Sequence, residues 1–244
     1  MAQLENKTAL VTGGTSGIGL AAARRFAAEG AHVFITGRRK PELDAAAAEI
    51  GSGVTAVQGD VSDLDDLDRL AGAIAQRGGG LDVVFANAGG GSLAVLGDIT
   101  PEQFNQTFAI NVRGMVFSVQ KTLPFLNHGA SIVLAGSSSA TNGTPGFGVY
   151  AASKAAIRSF ARTWAAELAG RGIRVNTIVP GPTNTAGLRS GLAPEVLQAI
   201  ASGIPLGRLG EPDEIANAVL FLASPESSFM TGSEIFIDGG VEQI

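Results

Sequence analysis

Short apolar and β-branched runs alternate along this chain with longer segments in which alanine, leucine, arginine and glutamate recur at helical spacing. The strand-like runs cover 8–12, 31–36, 54–58, 81–86, 130–135, 174–179 and 234–237, and helical patterns lie near 18–29, 41–50, 63–76, 101–126, 149–170 and 211–223. The runs are almost continuously apolar rather than alternating, as strands covered on both faces require. Strand–helix alternation with right-handed crossovers predicts a Rossmann-like, doubly wound α/β fold: a parallel seven-stranded sheet with helices on both faces.

No internal repeat is evident, and no low-complexity tract is long enough for a linker. Folds of this class commonly reach such a length as one unit, so residues 1–244 are expected to form a single domain. The least regular stretch is 181–210. Loops past strand ends carry the ligand chemistry in such folds, so this stretch is expected to be a substrate flap.

Composition narrows the function classes. The 34 glycines cluster where strand runs end, a turn-rich pattern rather than a disordered one. The chain has no cysteine and two histidines, His32 and His128, which leaves neither a thiolate site nor a convincing metal cluster. A net charge of −5 weighs against nucleic acid, whose phosphates need a basic stripe. The first ten residues carry charges and no long apolar run. No stretch reaches the roughly 18 apolar residues of a membrane span. The expectation is a soluble, cytoplasmic protein that acts on small molecules, with no membrane or nucleic-acid partner.

The first strand runs into Thr12-Gly13-Gly14-Thr15-Ser16-Gly17-Ile18-Gly19 and then a helix. A glycine turn at that junction lets backbone amides approach a pyrophosphate at the helix N-terminus. The lack of a following Gly-Lys-Ser/Thr excludes a Walker-type loop. In this arrangement the chain resembles the short-chain dehydrogenase/reductase family, and the resemblance extends over almost its whole length. It implies a nicotinamide cofactor held by Gly13, Thr15, Ser16, Gly17, Ile18 and Gly19. It further assigns Asp60 and Val61 to the adenine and the Asn87-Ala88-Gly89 segment to the cofactor. Pro180, Gly181, Thr183 and Thr185 are then expected at the nicotinamide carboxamide.

The second strand ends in Thr36-Gly37-Arg38-Arg39-Lys40. Proteins that bind NAD place a carboxylate there for the ribose diol. Gly37 supplies none, and Arg38 offers a guanidinium suited to a phosphate. NADP(H) is therefore the expected cofactor, with Arg38 and, less directly, Arg39 at its 2′-phosphate.

Tyr150, the only tyrosine, lies four residues before Lys154, which sets both on one helix face. A nearby ammonium is expected to favour the phenolate, and a hydroxyl from Ser137 to bond the substrate oxygen as charge develops on it. The family resemblance gives Ser137, Tyr150 and Lys154 these catalytic roles and adds Asn111, which it implies relays protons through a water. Family spacing selects Ser137 over Ser138 and Ser139.

The expected reaction is reversible reduction of a ketone to a secondary alcohol. Its enzymatic rival is reduction of a 3-oxoacyl thioester on an acyl carrier protein, which would dock on Arg113, Arg158, Arg162, Arg189 or Arg208. A nucleotide-sensing module without chemistry is the rival from another class, and the complete catalytic set argues against it. Small and apolar residues in 89–95, 140–149 and 185–204 hint at a bulky apolar ketone. Apolar residues on more than one side of the helices near 101–126 and 149–170 point to a homotetramer.

Overall fold

The computed structural model describes residues 2–190 and 192–244. Seven strands, β1 (Thr8–Thr12), β2 (His32–Gly37), β3 (Val54–Gln58), β4 (Leu81–Ala86), β5 (Leu126–Ala135), β6 (Arg174–Pro180) and β7 (Glu234–Ile237), form one sheet in the order β3-β2-β1-β4-β5-β6-β7. Every neighbouring pair is parallel. Successive side chains leave a strand on opposite faces. Ala9 and Val11 of β1 therefore join Val33, Ile35 and Phe85 under one helical layer, while Leu10 joins Phe34, Val84 and Ile132 under the other.

The first layer is α1 (Gly17–Ala28), α2 (Lys40–Ile50) and α9 (Pro212–Ala223), which contribute Phe26, Leu43 and Val219. The second is α3 (Leu64–Arg77), α5 (Met115–Thr122) and α6 (Gly148–Leu168), which contribute Leu70, Val119 and Ile157. The strand order reverses direction between β1 and β4. Such a switch point opens a crevice beyond the carboxyl ends of the strands.

The helical pattern over 101–126 resolves into several pieces. α4 (Pro101–Phe108) runs into a π-helical turn, Ala109–Gly114, before α5. The chain then leaves the helix through the short turn Leu123–Phe125. Pro124 has no N–H to continue the ladder, and Leu126 already pairs with Leu81 as the start of β5. The apolar residues Leu123, Phe125 and Leu126 fit either period, so the sequence pattern overran the helix by four positions. The 181–210 stretch is also more regular than expected. It contains α7 (Ala186–Arg189) and α8 (Pro194–Ser202), the latter with proline in its first turn and Glu195 near its N-terminus.

Two glycines illustrate opposite constraints. A Cβ on Gly19 would lie 2.2 Å from the Gly13 carbonyl oxygen and 2.5 Å from Asn87 Nδ2, so α1 can approach the β1 turn only without a side chain there. Gly72, inside α3, would meet nothing within 4 Å. Gly19→Ala should therefore destabilise the protein by about 2 kcal/mol or more through overpacking against backbone. Gly72→Ala should stabilise it by about 0.5–1 kcal/mol through helix propensity. Chemical denaturation of both variants measures these shifts, and equal effects would contradict the packing described.

Candidate active site

The β1–α1 turn is built as a rigid unit. Thr12 is buried, and its hydroxyl accepts the backbone N–H groups of Asn87 and Ala88, both at 3.0 Å. Asn87 Nδ2 returns bonds to the carbonyls of Thr12 (3.0 Å) and Gly13 (3.2 Å). These contacts lock the end of β4 to the turn after β1, across the switch point. Gly13 adopts φ +65° and packs against Ala88, and Gly17 adopts φ +54° beside the Thr185 methyl. Gly13 and Gly19 are thus fixed by packing, and Gly17 by backbone conformation at the first turn of α1.

Ser16 precedes α1 without capping it through its side chain, and the helix has no acid in its first turn. Ser16 is exposed, and Thr15 and Ile18 are partly buried. The leading N–H groups of α1 face the crevice, where an anionic group gains from them. This donor set fits a dinucleotide pyrophosphate.

At the far end of the crevice, the Asp60 carboxylate accepts the backbone and hydroxyl donors of Ser62 at 2.9 and 2.8 Å. Asp60's own N–H donates to Asp66. Val61 is buried against Gly114, where a Cβ would lie 2.8 Å from its side chain. Arg38 is exposed, and its guanidinium lies 3.7 Å from Asp60. Arg39 turns instead to Glu42 at 2.8 Å. Of the two arginines, Arg38 is the one beside the crevice. Position 37 is tight: a Cβ there would approach the Thr15 methyl to 2.4 Å.

The catalytic candidates converge from three elements. α6 presents Tyr150 and Lys154 one turn apart, with the Lys154 Nζ 5.8 Å from the Tyr150 ring centroid. The Lys154 side chain is buried, and Nζ donates to the Ala135 carbonyl at the end of β5 at 2.7 Å. Burial lowers its pKa to about 8. Ser137 follows β5 and lies within hydrogen-bonding reach of the Tyr150 hydroxyl. Its own oxygen also accepts the Ser139 N–H at 3.2 Å. Ser138 is buried away in the following turn, so the local geometry singles out Ser137.

The Tyr150–Lys154 spacing predicts an ammonium that draws the phenol pKa down. In the folded protein, burial raises it, and the Ser137 hydrogen bond opposes this only in part. The ligand-free site thus holds Tyr150 as a protonated phenol at neutral pH.

Asn111 arrives through the π-helical turn, whose extra residue swings its side chain inward. It is buried; Oδ1 accepts the Gly90 N–H and Nδ2 donates to Ser153 Oγ, each at 2.9 Å. Ser153 in turn donates to the Tyr150 carbonyl at 2.6 Å. A Cβ on Gly89 would lie 3.1 Å from Lys154 Nζ and 3.2 Å from Asn111 Oδ1. Gly89 is therefore the gap across which the lysine and the asparagine face each other. Ser153 and the Ala135 carbonyl were not among the sequence candidates. A serine three residues after Tyr150, inside a helix, was the available signal, because such hydroxyls back-bond to the preceding turn.

After β6, the Thr183 hydroxyl donates to the Gly181 carbonyl at 2.9 Å, and Thr185 caps α7 by accepting the Leu188 N–H. Pro180 closes β6, and a Cβ on Gly181 would lie 2.6 Å from the Asp238 backbone. His32 bonds Thr55, and no metal-holding cluster occurs among the described residues. Nor is any helix among them long and apolar enough to cross a membrane.

Comparisons with known proteins agree with this geometry. A family profile described as Enoyl-(Acyl carrier protein) reductase matches residues 13–242. Oxidoreductase asL5 of Sarocladium schorii is 49% identical, with 99% of this chain and 98% of that protein aligned. The 3-oxoacyl-[acyl-carrier-protein] reductase FabG of Thermotoga maritima is 38% identical over 98% of this chain and 99% of its own. A solved short chain dehydrogenase/reductase family protein superposes with a TM-score of 0.90 at 45% identity, covering 99% of this chain and 100% of that one. With the switch-point crevice and the Tyr150–Lys154 pair, these matches establish that the chain belongs to the short-chain dehydrogenase/reductase family of nicotinamide-dependent oxidoreductases.

Proposed function

We propose that this protein reduces a ketone to a secondary alcohol with NADPH, and catalyses the reverse oxidation with NADP. The convergence of Ser137, Tyr150 and Lys154, with Lys154 beside Gly89 and Tyr150 beside Gly91, carries the reading. Gly13, Thr15, Ser16, Gly17, Ile18 and Gly19 would receive the pyrophosphate side of the cofactor. Asp60, Val61, Asn87, Ala88 and Gly89 would line its nucleoside, and Pro180, Gly181, Thr183 and Thr185 its carboxamide. Arg38 would hold the 2′-phosphate. When bound, the nicotinamide supplies the hydride.

The chain's own residues handle the proton. Tyr150 donates its phenolic proton to the carbonyl oxygen, and Ser137 hydrogen-bonds the same oxygen as negative charge builds on it. The charge left on Tyr150 is stabilised by the Lys154 ammonium, an interaction strengthened by the dry surroundings. Asn111 and Ser153 fix the helix turn that carries both groups.

The substrate wall is apolar. Leu93, Val95 and Leu96 are exposed along the loop after β4, and Phe147 meets Tyr150 edge-on at 6.3 Å. That lining supports a bulky apolar ketone. The acyl-carrier reading gains less. Arg158 and Arg162 are paired with Glu234, Arg208 with Glu214, and Arg113 with the Ser62 carbonyl. A basic dock built on those four would have to break these contacts, whereas Arg189 is exposed.

Assembly as a homotetramer is supported by aromatic pairs on two helices, Phe104–Phe108 on α4, with Phe104 exposed, and Phe160–Trp164 on α6, both partly buried. Light scattering should give four chains per particle, and a stable monomer at micromolar concentration would contradict this.

The acid–base assignment predicts that Tyr150→Phe retains cofactor binding and loses more than about a hundredfold in turnover on a ketone panel. Wild-type reduction should fall as pH rises through about 8, where Lys154 gives up its charge. In Lys154→Arg the remaining activity should fall only at higher pH, because a guanidinium stays charged. A Tyr150→Phe enzyme with ordinary turnover would sink the assignment.

Cofactor choice yields a further test. Wild type should prefer NADPH over NADH by roughly tenfold or more, mainly in KM, and the preference should shrink with added salt. Gly37→Asp with Arg38→Leu should reverse it fully only when Thr15→Ser is added, since the Thr15 methyl occupies the space a side chain at 37 needs. Equal use of both cofactors at low salt would overturn the role given to Arg38.

A further inference from the structure

The chain after β7 makes a tight turn that touches both walls of the substrate side. Asp238 accepts the N–H groups of Gly240 at 2.9 Å and Glu242 at 3.0 Å. Gly239 and Gly240 adopt φ +69° and +95°, values that suit glycine alone without strain. The reversal brings the Glu242 carboxylate to the loop between Ser137 and Tyr150. There each oxygen meets a separate polar group. The single proton of the Thr141 hydroxyl is shared between Oε2 at 2.5 Å and the Ser138 carbonyl at 2.6 Å, and Asn142 Nδ2 donates to Oε1 at 2.7 Å. The contacts to Glu242 join positions about a hundred residues apart in sequence.

Thr141 is tied to the turn that follows the catalytic serine. The Ser137 and Ser138 carbonyls accept the Ala140 and Thr141 N–H groups at 3.1 and 3.0 Å. Asn142 also accepts the Thr144 hydroxyl at 2.8 Å. The other side of the same turn meets the foot of the 181–210 stretch. Leu206 N–H donates to the Gly239 carbonyl at 3.2 Å, and Cβ atoms on Gly239 and Gly240 would meet Ile204 and Pro205 at 2.6 and 3.2 Å.

We infer that Glu242 is a positioning residue that clamps the Ser137–Tyr150 loop to the foot of the flap, so that substrate meets a preformed wall. The inference rests on the reading of Ser137 and Tyr150 given above. Glu242 touches no reacting group. It acts through Thr141, which is bonded to Ser138 in the turn that starts at Ser137, and through Asn142, the next residue in the chain. Without the clamp, the loop populates other conformers, and substrate binding must select the competent one. That cost falls on substrate affinity, while a bound substrate still meets an organised Ser137 and Tyr150.

Glu242→Ala should raise the KM for ketone by about tenfold, change kcat by less than about threefold, and leave cofactor affinity intact. Glu242→Gln keeps one acceptor and should fall between. In a Thr141→Val/Asn142→Leu background, Glu242→Ala should add little further, because its partners are already gone. Hydrogen exchange on the ligand-free protein gives a readout apart from activity. Amides within 138–147 should exchange about tenfold faster in Glu242→Ala, with the strands of the sheet unchanged.

Unchanged exchange in 138–147, or effects of Glu242→Ala that add fully to those of the double substitution, would overturn the clamp. So would a fall in melting temperature with no change in KM. An active Tyr150→Phe enzyme, by contrast, would overturn the chemical reading, and the exchange experiment would still decide whether the clamp exists.

Discussion

The site depends on keeping an ammonium group out of water. Lys154 sits in the interior of α6, and its Nζ donates one hydrogen bond to the Ala135 carbonyl where β5 ends. A charge removed from solvent costs free energy unless it is hydrogen-bonded. Its lowered pKa reflects that cost. Strand pairing places the carbonyl. β5 is held between β4 and β6, so its last residue cannot shift without breaking both ladders. The lysine is thus referenced to the centre of the sheet, and Tyr150, one helical turn earlier, inherits that position.

The surrounding features follow from the need to keep this corner dry yet reachable. Gly89 leaves the lysine and Asn111 separated by space that a single methyl group would crowd. The π-helical turn brings Asn111 inward, and Ser153 completes a hydrogen-bonded path from the Gly90 amide to the Tyr150 carbonyl. A regular α-helix over 101–126 would have kept its residues in phase and turned Asn111 to another face. The irregular element is therefore part of the site, as π-helical insertions often are.

Much of this was legible in the sequence, and what was not has physical causes. The inner strands were readable because buried parallel strands are continuously apolar, the edge strands β3 and β7 from short β-branched and aromatic runs although none of their residues is buried, and the glycine turn because backbone must approach backbone there. Tyr150 and Lys154 were readable because a spacing of four fixes one helix face. The break at Pro124 was missed because the apolar residues around it satisfy both periods, and the missing donor should have outweighed the pattern. α8 was missed although its proline start signal was present. The direction of the Tyr150 shift could not be read at all. It depends on how much water the fold removes from a phenol against how near an ammonium comes, and spacing along a helix gives only the second.

The two ends of the crevice are built on different principles, and this decides what can vary. The catalytic end is referenced to strand ends and a helix interior, where a displaced atom disturbs the core. The nucleotide-ribose end rests on exposed side chains: Arg38 beside Asp60, and Arg39 turned to Glu42. The substrate wall rests on loops joined by a few bonds, among them the Ala94 amide to the Gly146 carbonyl at 3.0 Å. Side chains on such surfaces can change with little cost to the sheet, whereas those at the catalytic end cannot. A fold of this kind can host different activities through changes at such surfaces. On the proposed function, the loops around 93–96 and 140–147, whose residues are mostly exposed, are where side-chain chemistry rather than the fold would select a substrate.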